Sequence, residues 1–244
     1  MATIGLAAVW AGGVWFTVAV AVIAGLMVWE LASMAAGPPW HCVGLGIAAA
    51  AGIGATTILP IEIILPFLGF VVLGGIVTLR RHQVFYLMFV PLVLVAAIGL
   101  ILRSDDIGLT WILWLFLVVL MTDISGYFSG RMIGGRKFWP KISPQKTWAG
   151  LIAGWIGAAC IGWGFATITG VGGVIILLSI LLSLASQIGD FAESAMKRRM
   201  GVKDSSALLP GHGGVFDRLD GLLGAILAFL IMDHIVGFSH VSGG

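Results

Sequence analysis

Charge is scarce in this chain, and it is concentrated. Residues 186–220 hold five of the eleven acidic residues (Asp190, Glu193, Asp204, Asp217, Asp220) and five of the thirteen lysines and arginines (Lys197, Arg198, Arg199, Lys203, Arg218). Ser186, Asp190, Glu193 and Lys197 follow one another at helical spacing, which puts them on one face. Asp217 and Asp220 share a face in the same way, and Asp123 sits in an apolar stretch beside Thr122, Ser125 and Gly126. Carboxylates that face one cavity repel each other unless a cation lies among them. Oxygen donors without a His/Cys cluster favour Mg²⁺ over zinc. The alternative is a plain ion-pair network with Lys197, Arg198 and Arg218. The neighbouring bases weigh toward phosphate chemistry, because Arg offers a planar fork to phosphate oxygens and Lys a point charge. Carboxylates, bases and adjacent glycines together are the equipment of phosphoryl or nucleotidyl transfer.

Two further stretches carry candidate groups. Pro210-Gly211-His212-Gly213-Gly214 precedes Asp217 and can bring backbone N–H groups close to an anion; it reads equally as a turn into a helix. Ser143 and Thr147 flank Lys146 just before an apolar run. They suit either an anion at a helix N-terminus or an ordinary N-cap. A phosphate-binding G-x-x-x-x-G-K-[ST] loop is missing from the sequence, which excludes a P-loop NTPase.

The elements that must position these groups are apolar. Hydrophobic residues make up 59% of the 244 residues and charged ones 10%, against about 25% charged in soluble domains. Mean hydropathy is +1.10, so lipid is part of the solvent. The ten Trp suit membrane interfaces. Cys42 and Cys160 lie in apolar segments and suggest no disulfide framework. Apolar stretches at roughly 4–29, 42–59, 61–79, 84–102, 109–128, 150–169, 172–190 and 219–238 predict an all-α polytopic integral membrane bundle of about eight transmembrane helices with charged cytoplasmic loops. The expected organisation is a single membrane domain over 1–244, with N-terminal apolar helices over 1–118 and the motif-bearing part over 119–244. Gly170-Val171-Gly172-Gly173 reads as the turn between two spans. Gly150 and Gly154 form a small-x-x-x-small pair suited to close helix packing. No lysine or arginine precedes Arg80, so the first apolar stretch reads as a retained span rather than a secretory signal.

Basic residues orient the bundle. Arg80 and Arg81 follow the third span. Arg131, Arg136, Lys137, Lys141 and Lys146 follow the fifth, and Lys197, Arg198, Arg199 and Lys203 follow the seventh. The positive-inside rule puts those three loops in the cytoplasm and, with eight spans, both termini outside.

The sequence of residues 194–220, S-A-M-K-R-R-M-G-V-K-D-S-S-A-L-L-P-G-H-G-G-V-F-D-R-L-D, closely resembles the hallmark motif of phosphatidate cytidylyltransferases, the CDP-diacylglycerol synthases. The resemblance continues through residues 189–193, 142–150 and 122–127, so it covers most of the chain from about residue 120 onward. It implies a membrane enzyme of a bacterial-type cell membrane, with its site facing the cytoplasm. Such an enzyme transfers a cytidylyl group from CTP to phosphatidic acid, requires Mg²⁺ (a second cation is compatible), and acts as a homodimer with no nucleic-acid partner. The resemblance also assigns roles. Asp190 and Asp217 are the principal metal carboxylates, with Asp220 and Asp123 in support. Lys197, Lys203, Arg218 and Lys146 bind phosphate or stabilise the transition state. Candidate substrate-binding positions are Ser143, Thr147, Ser186, Ser194, Arg198, His212, Gly213 and Gly214.

One position departs from the family pattern. After Ser143-Pro144 the family usually runs K-T-W-E-G, whereas this chain has Lys146-Thr147-Trp148-Ala149-Gly150. An alanine at a normally acidic position leaves room for a related enzyme with another lipid acceptor, such as an ether lipid, or for a non-catalytic relative. A transporter with buried carboxylates at a coupling-ion site is the reading from a different class.

Overall fold

The computed structural model describes residues 12–208, 211 and 213–238. Among them are eight α-helices: α1 (Gly13–Met34), α2 (Pro39–Gly54), α3 (Ile61–Thr78), α4 (Gln83–Ile107), α5 (Leu109–Met132), α6 (Trp148–Thr169), α7 (Val174–Met200) and α8 (Phe216–Val236). Helices are the expected solution for so apolar a chain, because each one satisfies its own backbone in lipid. All but α2 are long and apolar enough to cross a membrane, seven in total. At 16 residues, α2 reaches only ~24 Å at ~1.5 Å per residue, short of the ~30 Å hydrocarbon core. Pro39 starts it, and a 3₁₀ turn at Ala55–Thr57 follows it. The expected all-α polytopic membrane fold is therefore present. Of the apolar stretches, 42–59 gives the short helix. Gly170 closes α6 in the left-handed conformation (φ 71°) that a glycine adopts without strain. α7 runs on to Met200, so Glu193 and Lys197 are helical as their spacing implies, and α4 continues through residues 105 and 106, past the apolar stretch that ends at 102.

A small antiparallel hairpin, β1 (Lys137–Trp139) with β2 (Ser143–Thr147), stands between α5 and α6. Lys137 pairs with Thr147 and Trp139 with Ser143. Trp148 N–H donates to the Arg136 carbonyl at 3.2 Å, closing its base. Phe138 packs against Trp148 and Phe191, with ring centroids 4.8 Å and 5.0 Å away.

The described residues divide into two compact units, those within 12–105 and 196–219 and those within 106–195 and 220–238. In the first, α1 lies along α2, and Tyr86 of α4 donates its hydroxyl to the Val71 carbonyl of α3 at 3.1 Å. Its core includes Val28, Leu31, Ile53, Tyr86 and Phe216, all buried.

In the second unit α5 and α6 meet through small residues. A Cβ on Gly150 would stand 2.8 Å from the Gly126 carbonyl oxygen, and one on Gly154 would stand 3.1 Å from the Thr122 methyl. The Gly150/Gly154 pair thus packs within the chain, where small side chains let helix backbones approach. A ladder of polar contacts ties α7 to its neighbours. Trp114 Nε1 donates to Ser179 Oγ at 2.9 Å, Thr122 Oγ1 to Ser183 Oγ at 2.8 Å, and Trp155 Nε1 to Gln187 Oε1 at 2.9 Å. Trp111, Trp114, Phe229 and Phe238 form an aromatic cluster, to which Asp233 adds a cap by accepting from Phe238 N–H at 3.2 Å.

Candidate active site

The second unit contains a cavity of about 390 Å³ walled by α5, β2, the start of α6 and Gln187 of α7. Thr122, Asp123, Gly126, Tyr127 and Arg131 come from α5, and Gln145, Lys146 and Thr147 from β2. Its size falls in the range of small-molecule sites. Two cations, Lys146 and Arg131, and one carboxylate, Asp123, meet its space, a set suited to an anionic ligand held beside a cation.

Each group has an identifiable support. Thr147 is the N-cap of α6 and accepts from Gly150 N–H at 3.2 Å, which fixes the strand-to-helix junction beside Lys146. Of the two uses open to Thr147, the structure shows the cap. Lys146 forms an ion pair with Asp190, and its ammonium also lies 4.7 Å from the centroid of the Phe191 ring. Arg131 Nη1 donates to the Tyr127 hydroxyl at 3.0 Å, one turn back on the same helix. Trp155 and the Leu151 carbonyl orient Gln187.

Asp190 is the hinge of the arrangement. Ser186 Oγ, one turn earlier on α7, is fully buried and has no hydrogen-bond partner among the described residues. Both atoms aim at Gly221 of α8: a Cβ there would stand 2.5 Å from Asp190 Oδ1 and 2.8 Å from Ser186 Oγ. Asp123 and Asp220 are both within electrostatic reach of Asp190, and Asp220 also feels Glu193.

These residues could form part of a cradle for a divalent cation. The donors are all oxygens, and an orphaned buried hydroxyl stands next to a carboxylate. No group of three or more His, Cys, Asp or Glu residues close enough to hold a metal occurs among the described residues. Mg²⁺ fits that pattern, since it is usually held by one or two carboxylates and completes its shell with water and substrate phosphates.

The first unit carries the other half of the expected residues. Lys197 Nζ bonds Asp217 Oδ1 at 2.7 Å. Ser205 N–H donates to both oxygens of Asp217, at 3.1 Å and 2.9 Å, and Gly214 N–H donates to Oδ2 at 2.7 Å. In this arrangement both oxygens of Asp217 already serve as acceptors for the loop around them. A Cβ on Gly213 would stand 2.5 Å from Asp217 Oδ2, and Gly213 has φ 82°. Gly213 and Gly214 therefore pack closely against the Asp217 carboxylate.

The remaining expected residues are more scattered. Lys203, Arg198 and Arg218 are exposed, Ser143 and Ser194 are half-buried outside the cavity wall, and His212 lies outside the described residues. Tyr127, Arg131, Gln145 and Gln187 were not singled out in the sequence, although Arg131 carries a basic-loop signal. Glu30, near the end of the first apolar stretch, is fully buried and hydrogen-bonded to Ser205, Ser206, Val215 and Phe216.

Comparison with known proteins agrees with this picture. The model of the cytidylyltransferase family matches residues 1–236, and the chain belongs to that family. A protein of Brucella suis biovar 1 named phosphatidate cytidylyltransferase is 51% identical over 128 residues, which are 51% of this chain and 47% of the relative. Proteins of the same name from Haemophilus influenzae and Bacillus subtilis are 44% identical over 133 residues and 41% identical over 122. These matches take in 50% and 49% of this chain and 45% of each relative, so the chain spans about half the length of the relatives it matches. With seven helices able to cross a bilayer and bacterial relatives, it is an integral membrane protein.

Proposed function

We propose that this protein transfers a cytidylyl group from CTP to phosphatidic acid, giving CDP-diacylglycerol and pyrophosphate. The observation that carries the reading is the Lys146–Asp190 pair, set beside an anion-sized cavity within a unit of apolar helices. Membership of the cytidylyltransferase family and the names of the relatives support the substrates.

The phosphate of phosphatidic acid attacks the α-phosphorus of CTP in line, and pyrophosphate leaves. The attacking phosphate is already an anion near neutral pH, so no residue needs to act as general base. Lys146 and Arg131 draw the polyphosphate into the cavity and stabilise charge that grows on the α-phosphoryl oxygens. Bound Mg²⁺ would neutralise phosphoryl oxygens, held by Asp190 and Ser186 with Asp123 and Asp220 in support. Lys146 then has two partners to choose between, the Asp190 carboxylate and the substrate phosphate, and substrate binding releases it from the first. In the first unit, Lys197, Lys203 and Arg218 are assigned phosphate handling and Asp217 a metal role by resemblance. A cation at Asp217 would have to compete with Lys197 and two backbone donors.

The protein is proposed to work as a homodimer with its loops in the cytoplasm, where CTP is found, while the lipid tails stay in the bilayer. The test is CTP-dependent formation of CDP-diacylglycerol by the purified protein in detergent with phosphatidic acid and Mg²⁺. Product that disappears with EDTA is the expected result. CTP binding without product would point to another lipid acceptor, and neither binding nor product would refute the assignment.

A further inference from the structure

We infer that Glu30 is a positioning residue, which holds residues 205–206 and 214–216 in the arrangement that keeps Asp217 and Lys197 together. The inference rests on the reading of that loop as part of the cytidylyl-transfer machinery.

Glu30 belongs to α1, an apolar helix 175 positions before its first partner in the loop, and its side chain is fully buried. Its oxygens accept four hydrogen bonds. Oε1 takes the Ser206 hydroxyl at 2.6 Å and Val215 N–H at 2.8 Å. Oε2 takes the Ser205 hydroxyl at 3.2 Å and Phe216 N–H at 2.7 Å. Each oxygen thus binds one hydroxyl from the start of the loop and one backbone amide from its end. The two amides belong to the first residue of α8 and the residue before it. They are among the donors a helix N-terminus leaves unmet, and the helix dipole favours a negative charge there. A residue of α1 therefore caps α8 and at the same time pins the far end of the loop.

The clamp is coupled to Asp217 through shared residues. Ser205 gives its hydroxyl to Glu30 and its N–H to Asp217. Gly214 gives its N–H to Asp217, while a Cβ at that position would collide with the Ser205 hydroxyl and stand 2.8 Å from the Glu30 carboxyl carbon. The two carboxylates share Ser205 as a donor, and Gly214, bonded to Asp217, packs against Glu30. Loosening Glu30 frees Ser205 and Gly214, and these are the donors that orient the partner of Lys197.

Glu30→Gln tests this with little change of shape. An amide has one acceptor oxygen and a donor NH₂. A hydroxyl can rotate to suit either, but a backbone N–H cannot. Whichever way the amide turns, Val215 or Phe216 faces a donor. Hydrogen–deuterium exchange and steady-state kinetics would be measured on the full chain in lipid nanodiscs, for wild type, Glu30→Gln and Gly214→Ala. Ser206→Ala, which removes the hydroxyl that bonds Glu30 and accepts from Leu208 N–H but leaves the Val215 and Phe216 amide bonds to Glu30 in place, is the gentler variant if the others do not fold. The expected result is exchange about tenfold faster, as for a lost buried hydrogen bond, at the amides of residues 205, 214, 215 and 216, with α3 and α4 unchanged. kcat should fall roughly 10- to 100-fold with KM for CTP within about threefold, a split expected when orientation rather than binding is lost. The Glu30→Gln/Gly214→Ala pair should be less than additive, since both release the same loop. Unchanged exchange in the loop, or local release with unchanged kcat, overturns the inference, as does uniform deprotection of the whole chain. If the wild type shows no turnover, the proposed function falls and the exchange pattern alone decides the clamp.

Discussion

Lys146 and Asp190 lie 44 positions apart and meet because a two-stranded hairpin delivers the lysine to the side of a long helix. Their pairing makes opposite substitutions informative. Lys146→Met and Asp190→Asn should each lower kcat by about 10²–10³, the usual cost of losing one preorganised charge at a transition state, while size-exclusion profiles stay unchanged. Lys146→Arg should fall in between, because it keeps the charge but exchanges a compact ammonium for a planar fork. Full activity in Asp190→Asn would remove Asp190 from the site. Ala149 is the second residue of α6, and the first turn of that helix holds no acid. Ala149→Glu should therefore raise stability by ~0.3–1 kcal/mol through the helix dipole. It should also raise turnover if the acid of the family pattern serves the reaction. Thermal denaturation and CTP kinetics on the same preparation separate the two effects.

Elements rather than residues decide how firmly this site is held. The α5–α6 seam carries six cavity-lining residues of α5 on one side and the N-cap of Thr147 on the other. Gly150→Ala would press a methyl toward the Gly126 carbonyl and should cost about 1–3 kcal/mol, seen as a lower midpoint in detergent melts. The polar contacts of α7, Ser179 to Trp114 and Ser183 to Thr122, should make α7 resist such displacement. Much of this was legible in the sequence. Apolar length gave the helices, the glycine pair gave the seam, and helical spacing put Ser186 and Asp190 on one face. The hairpin was not legible, because its strands are three and five residues long. Its order comes from Phe138 packing on Phe191, 53 positions on, which no local pattern announces. Glu30 was hidden for a similar reason. A lone acid in an apolar helix has no visible partner until the loop that binds it, far along the chain, is folded against it.

At the scale of the whole molecule the question is which side of the membrane each loop faces, and here chain order and charge agree. If α4, α5, α6 and α7 each cross once, the segments after α3, α5 and α7 lie on one side, whether or not α2 crosses. Those are the segments that carry the basic residues, and the turn at Gly170 and Gly172 between α6 and α7 carries none. The positive-inside rule predicts that the basic side is the cytoplasmic one. Accessibility should be read in a background with Cys42 and Cys160 replaced, because Cys160 is exposed on α6 and would react by itself. Lys141→Cys reports on the hairpin turn, Ala207→Cys on the loop after α7 and Gly173→Cys on the turn between α6 and α7; all three positions are exposed. A membrane-impermeant maleimide added to intact cells should label Gly173→Cys alone. In inside-out vesicles it should label Lys141→Cys and Ala207→Cys and spare Gly173→Cys. The reverse pattern would put both charged loops away from CTP and end the proposed reaction. Labelling of the two loops from opposite sides would mean that one of α6 and α7 does not cross, and the apolar lengths that define the fold would need another explanation.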